Sequence, residues 1–100
     1  MDGFQIVSEP RRREILRLVW DRELTAGQIA GQFDVTFGAI SQHLGVLRDA
    51  GFVSVRRDGN HRLYRADREG LAALAPALEA MWTSALDRLA ATVEQDESRR

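Results

Sequence analysis

Two short amphipathic segments with helical period lie back to back between Thr25 and Val53, separated by a turn of three or four residues. Thr25 and Gln28 have capping-box spacing, and Ala26, Ile29, Ala30 and Phe33 follow at helical intervals. Thr36 suits the N-cap of the second segment, with Val35 placed to staple onto Ile40. On that segment Ile40, Leu44 and Leu47 share one face, while Gly38, Ser41, Gln42, Gly45 and Asp49 share the other. The outer face carries no large apolar residue. Its two glycines weaken an isolated helix by about 1 kcal/mol each, yet they let a second surface come close. The pattern predicts a helix-turn-helix whose second helix, about Thr36 to Ala50, is shaped to enter a DNA major groove.

The flanking segments complete one arrangement. Ser8 or Glu9 caps a helix opened by Pro10, with Ile15, Leu16, Leu18 and Val19 apolar and an end near Trp20. Gly51 stops the reading helix. Phe52 to Arg57 and His61 to Ala66 are strand-like runs around Asp58-Gly59-Asn60, which predicts a hairpin wing. From Asp67 as a cap, a long helix is expected over about 67–93. Its stripe of Leu71, Leu74, Leu78, Met81, Trp82, Ala85, Leu89 and Val93 outlasts the rest of the domain, and is expected to pack against a second copy. The fold class read from this order is mainly α with a small β-hairpin, a winged helix-turn-helix dimerising through its N- and C-terminal helices. Residues 1–95 form its single domain and 96–100 a polar tail.

The net charge of −1 hides an uneven distribution. From Thr36 to Arg65 five arginines face two aspartates, a net +3, while Glu94, Asp96 and Glu97 gather near the C-terminus. No apolar run approaches the length of a membrane span, and Met1 to Pro10 lacks the pattern of a signal peptide, so the cytoplasm is the expected location. Without cysteine there is no thiolate metal site. No cofactor loop is visible, and neither histidine has an evident carboxylate partner, which argues against an enzyme.

The expected DNA-binding residues are Thr36, Phe37, Gly38, Ser41, Gln42, His43, Gly45, Arg48, Arg57 and Arg62. Ser41 and Gln42 read as base or phosphate contacts, Gln42 being able to pair with adenine, or else as solvated helix residues. Thr36 caps, and can offer its hydroxyl and the helix N–H groups to a phosphate. Phe37 lies beside the core stripe and is expected to be half-buried, with a thymine methyl contact as its other use. Arg56, Arg57, Arg62 and Arg65 alternate along the hairpin, so half should face a duplex, Arg57 and Arg62 first. Arg11, Arg12 and Arg13 either touch backbone at the edge of a site or dress their helix, Arg12 in a structural role. A groove around Trp20, Met81 and Trp82 reads as dimer core or as room for an apolar ligand.

Four motifs in order resemble the ArsR family of winged helix-turn-helix repressors. Glu9-Pro10 with Arg12 and Ile15-Leu16 is similar to its D-P-x-R-x-x-I-L, and Ser41-Gln42-His43-Leu44 with Val46-Leu47 to its S-x-H-L-x-x-L. Ala50-Gly51-Phe52-Val53 is similar to A-G-L-V, and Arg57-Asp58-Gly59-Asn60 with Tyr64 to the wing motif R-x-G-x-x-x-x-Y. The resemblance implies a homodimer that binds an operator on double-stranded DNA and blocks transcription until a signal releases it. It also suggests a structural hydrogen bond or a phosphate contact for His43. The position resembling the family's cysteine-bearing metal box reads Glu23-Leu24-Thr25-Ala26-Gly27-Gln28, and the last helix has no histidine. The expectation is therefore a cysteine-free, non-metal-sensing member whose inducer the sequence does not name. A winged-helix protein-docking module without specific DNA binding is the rival reading.

Overall fold

In the computed structural model, residues 1–84 are described. The first helix comes earlier than Glu9. Asp2 accepts from the Gln5 backbone N–H and the Gln5 side chain accepts from Asp2 N, a reciprocal cap that starts α1, Gly3–Ser8. Six residues are too few to hold a helix in water on propensity alone. The next helix, α2 (Pro10–Leu18), supplies what is missing. Arg12 Nε donates to the Ile6 carbonyl at 2.8 Å, and Arg13 Nη1 donates to the carbonyls of Val7 and Ser8 at 3.0 Å each. The orphan carbonyls at the end of α1 are thereby satisfied by side chains of α2. Arg12 and Arg13 are structural. Glu9 caps α2 by accepting from Arg12 N at 2.9 Å.

A two-residue strand, β1 (Leu24–Thr25), leads into α3 (Ala26–Ala30), where the Thr25–Gln28 capping box is present in both directions. Past Gly31, the N–H groups of Gln32 and Phe33 bond back three residues and tighten the last turn. Arg11 lies 4.6 Å over the Phe33 ring and so holds α2 against this turn. The reading helix α4, Phe37–Asp49, follows from Thr36, whose Oγ1 accepts from Ala39 N at 3.1 Å.

Gly51, at φ 79°, ends α4, and the chain enters β2 (Val53–Asp58) and β3 (His61–Ala66). Asp58 pairs with His61, so Gly59 and Asn60 make the turn; among the described residues only Gly51 and Gly59 have positive φ, the type II′ arrangement at the hairpin. The wing has a third strand that periodicity does not signal. Leu24 and Thr25 pair with Tyr64 and Leu63, giving the antiparallel order β1-β3-β2.

The last helix, α5 over 75–84, starts eight residues later than expected. Asp67 caps a turn instead, its Oδ1 accepting from Gly70 N at 3.1 Å. Pro76 gives the reason: it has no N–H, and its ring disfavours helix in the residue before it, so a helix from 67 cannot run through. The intervening turns pack Gly70 onto the end of α4. A Cβ there would lie 1.8 Å from the Gly51 carbonyl oxygen.

The core unites Ile15, Leu16, Val19, Ile29, Ile40, Leu44, Leu47, Phe52, Val53 and Tyr64. Leu71, Leu74 and Leu78 also belong to it, so the first part of the stripe expected to meet a second copy is buried within the chain's own core. An apolar stripe reports that residues are buried, not which chain buries them. Met81 does stay 45% exposed, whereas Trp82 packs edge-on against buried Trp20, centroids 4.9 Å apart and planes at 78°. Ala85 and Leu89 lie outside the described residues.

Candidate nucleic-acid interface

Burial of Ile40, Leu44 and Leu47 turns the other side of α4 outward. Gly38, Ser41, Gln42, Arg48 and Asp49 are exposed, and Gly45 is half-buried. The two glycines are not demanded by packing within the protein. A Cβ on Gly45 would meet nothing within 4 Å, and one on Gly38 only Thr36 Oγ1 at 4.0 Å. Residues that cost helix propensity without serving the fold fit a surface another molecule must approach closely. Thr36 uses an oxygen lone pair in capping, so its O–H remains able to donate.

Phe37 is a correction. It is 58% exposed, not half-buried, because it opens α4 on the flank toward the wing, beyond the reach of the core stripe. With Ser41 one turn later it lines a cleft whose other wall is Thr25, Asn60, His61, Arg62 and Tyr64.

Strand register sorts the wing arginines. Tyr64 and Ala66 are buried, so their face of β3 looks into the domain, and Arg62 shares it by alternation. Val53, Val55 and Arg57 are the cross-strand partners of Ala66, Tyr64 and Arg62. Arg57 and Arg62 therefore stand opposite each other on the inner face, beyond the core and beside the cleft. Two like charges facing across a ladder oppose folding. Arg56 and Arg65 occupy the outer face, and Arg56 Nε is tied to Glu23 Oε2 at 2.9 Å. The hydrogen bond and charge of Glu23 hold the Arg56 guanidinium further above its ordinary pKa. Arg57, Arg62 and Arg65 make no ion pair among the described residues. Arg48 pairs with its neighbour Asp49 at 3.2 Å.

His43 has the carboxylate neighbour that the sequence hides, 34 positions away. Its Nδ1 lies 3.9 Å from Glu9 Oε2, on the flank of α4 that faces α2. Burial alone would raise the Glu9 pKa. The backbone N–H groups of Arg12 and Arg11, with the charges of His43 and Arg12, together hold it below its ordinary value. The pair is a seam between helices, and among the described residues no three His, Cys, Asp or Glu side chains gather to hold an ion. No described helix is long and apolar enough to cross a membrane.

On the far side, Phe4, Val7, Ser8, Arg13, Leu74, Ala77, Leu78 and Met81 line an apolar groove between α1 and α5. Phe4 is 75% exposed there. This groove takes the place of the one expected around Trp20 and Trp82, whose rings fill each other's space.

A helix-turn-helix with a three-stranded wing, an outward helix face of small and amide side chains, and inward wing arginines define a winged helix-turn-helix DNA-binding transcriptional regulator. Known proteins agree. The arsR family of bacterial regulatory proteins matches residues 9–55. The HTH-type transcriptional regulator Rv2034 of Mycobacterium tuberculosis is 36% identical over 94 residues, which span 94% of this chain and 88% of that protein. The chain belongs to the ArsR family. A crystal structure described as a possible transcriptional regulator for arsenical resistance is 42% identical, covers 91% of this chain and 95% of its own, and superposes with a TM-score of 0.71. The homodimeric winged helix-turn-helix DNA-binding domain Mb0332 from Mycobacterium bovis is 26% identical, covers 79% of this chain and 73% of its own, and superposes with a TM-score of 0.68.

Proposed function

We propose that the chain works in the cytoplasm as a homodimeric repressor of an imperfectly palindromic operator. The groove between α1 and α5 receives the second copy, and the homodimeric state named for the Mycobacterium bovis relative supports this. Two α4 helices then enter successive major grooves about 34 Å apart. Gln42 and Ser41 read base edges, Thr36 positions the helix on a phosphate, and Arg57 with Arg62 grips the flanking backbone or minor groove. The carrying observation is that Phe37 and Ser41 of α4 share one cleft with Arg62 of the wing, with Gln42 exposed on the same helix beside Ser41 and Arg57 opposite Arg62 across the ladder. No reaction is assigned to it.

Repression follows from occupancy of a promoter-proximal operator, and relatives such as the transcriptional repressor SdpR of Bacillus subtilis, 39% identical over 61 residues, support that sense. Selection from random duplex DNA tests the reading. A palindromic consensus is expected, and Gln42→Ala is expected to lose about 1–3 kcal/mol of binding and relax one base position per half-site. Equal losses on selected and random DNA would remove Gln42 from base readout. Absence of any salt-sensitive binding would leave only a protein-docking role.

A further inference from the structure

Phe37 is large, apolar and 58% exposed at the first position of α4, one turn before Ser41 and across the cleft from Arg62. A helical Cα–Cβ bond tilts toward the N-terminus, so a side chain here leads the helix into whatever groove it enters. Recognition helices touch base edges with their N-terminal residues. The polar atoms of those edges are matched by Ser41 and Gln42. A phenyl ring matches none of them, and the apolar group displayed in the major groove is the methyl on pyrimidine C5.

We infer that Phe37 is a specificity-determining residue that packs on the C5-methyl of one pyrimidine in each half-site, a step that rests on the operator-binding reading above. Thymine and 5-methylcytosine carry the same methyl. Gly38 beside it, lacking a side chain, lets the ring approach the base edge without a competing contact.

The test uses the full chain and an operator recovered by selection, in which each thymine is replaced in turn by deoxyuridine. Burying one methyl group corresponds to about a fourfold change in affinity, and about fourteenfold when both half-sites lose it. That loss is expected at one symmetric position. Phe37→Leu should keep the discrimination; Phe37→Ala, whose side chain is largely outside the core, should abolish it while the variant stays folded by circular dichroism and still prefers the operator. At the responsive position, duplexes with thymine, 5-methylcytosine or cytosine separate the sources: thymine tightest makes it the natural contact, 5-methylcytosine tightest makes the protein a reader of methylated DNA. Intact operator preference with no deoxyuridine effect at any position would overturn the role of Phe37 and leave operator binding standing. Failure to recover any operator would overturn both.

Discussion

Replacing Arg57 by Gln tests the sorting of the wing by strand face. Glutamine keeps length and hydrogen bonding and removes the charge. A dimer has two wings, so one substitution removes two cations from the interface, and the slope of log K against log salt changes by about 0.9 for each phosphate no longer neutralised. The slope should therefore become shallower by about 1.8. Raising salt from about 50 to about 200 mM then costs the unaltered protein about twelvefold more affinity than it costs the variant. Fluorescence anisotropy of a labelled duplex, titrated at several salt concentrations, reads this directly. Arg56→Gln is the control: Arg56 lies on the opposite face and is tied to Glu23, so its slope should match that of the unaltered protein. The free protein offers a second check. Arg57 faces Arg62 across the ladder, so removing one charge relieves repulsion and the melting temperature should hold or rise as binding falls. An unchanged slope for Arg57→Gln, or an equal change for Arg56→Gln, would refute the face assignment.

Gly70→Ala drives a methyl to 1.8 Å from the Gly51 carbonyl and should cost about 3 kcal/mol, lowering the melting temperature by about 12–24 °C at fixed protein concentration. Glu9 has a lowered pKa, so its contribution to stability is complete above the ordinary value of 4.5 and is lost as pH falls through the folded-state value. In denaturant titrations Glu9→Gln should be less stable than the unaltered protein at pH 7, and the gap should close on acidification below 4.5. Leu71→Ala should cost about 2–5 kcal/mol because Leu71 is wholly buried within one chain. Met81→Ser, at an exposed position of the α1–α5 groove, should instead spare the fold and weaken self-association in sedimentation equilibrium.

Local chemistry made the helix-turn-helix and the wing legible. Thr25 with Gln28, Thr36, Gly51 and Asp58-Gly59 each act within a few residues, and each is found in the geometry its type favours. What escaped notice has physical causes. Six-residue α1 and two-residue β1 are too short for periodicity, and each depends on a distant partner: the arginines of α2 and the edge of β3. Pro76 interrupts a stripe whose apolar spacing continues through it. Leu71, Leu74 and Leu78 have the same periodicity whether they face their own core or a second chain. Phe37 sits at the margin of the α4 core face, where exposure depends on how far the wing stands from the helix.

The contacts missing from a local reading also determine how the groove proposed to receive a second copy relates to the reading helix. Leu71 is wholly committed to the core and Leu74 and Leu78 reach only the floor of the α1–α5 groove, so the apolar surface exposed there for a second copy is chiefly that of Phe4 and Met81. The position of α1 depends on Arg12 and Arg13, which cap its carbonyls from the first turn of α2. That same turn is capped by Glu9, whose carboxylate faces His43 on α4. One turn of α2 thus holds α1 on one side and meets the reading helix on the other. In the proposed dimer the spacing between two half-site readers then depends on this turn, and Glu9→Gln should weaken binding to a palindromic duplex more than to an isolated half-site. Equal losses on the two duplexes would show that the His43 seam adjusts α4 within its own protomer and has no part in setting the distance between the pair.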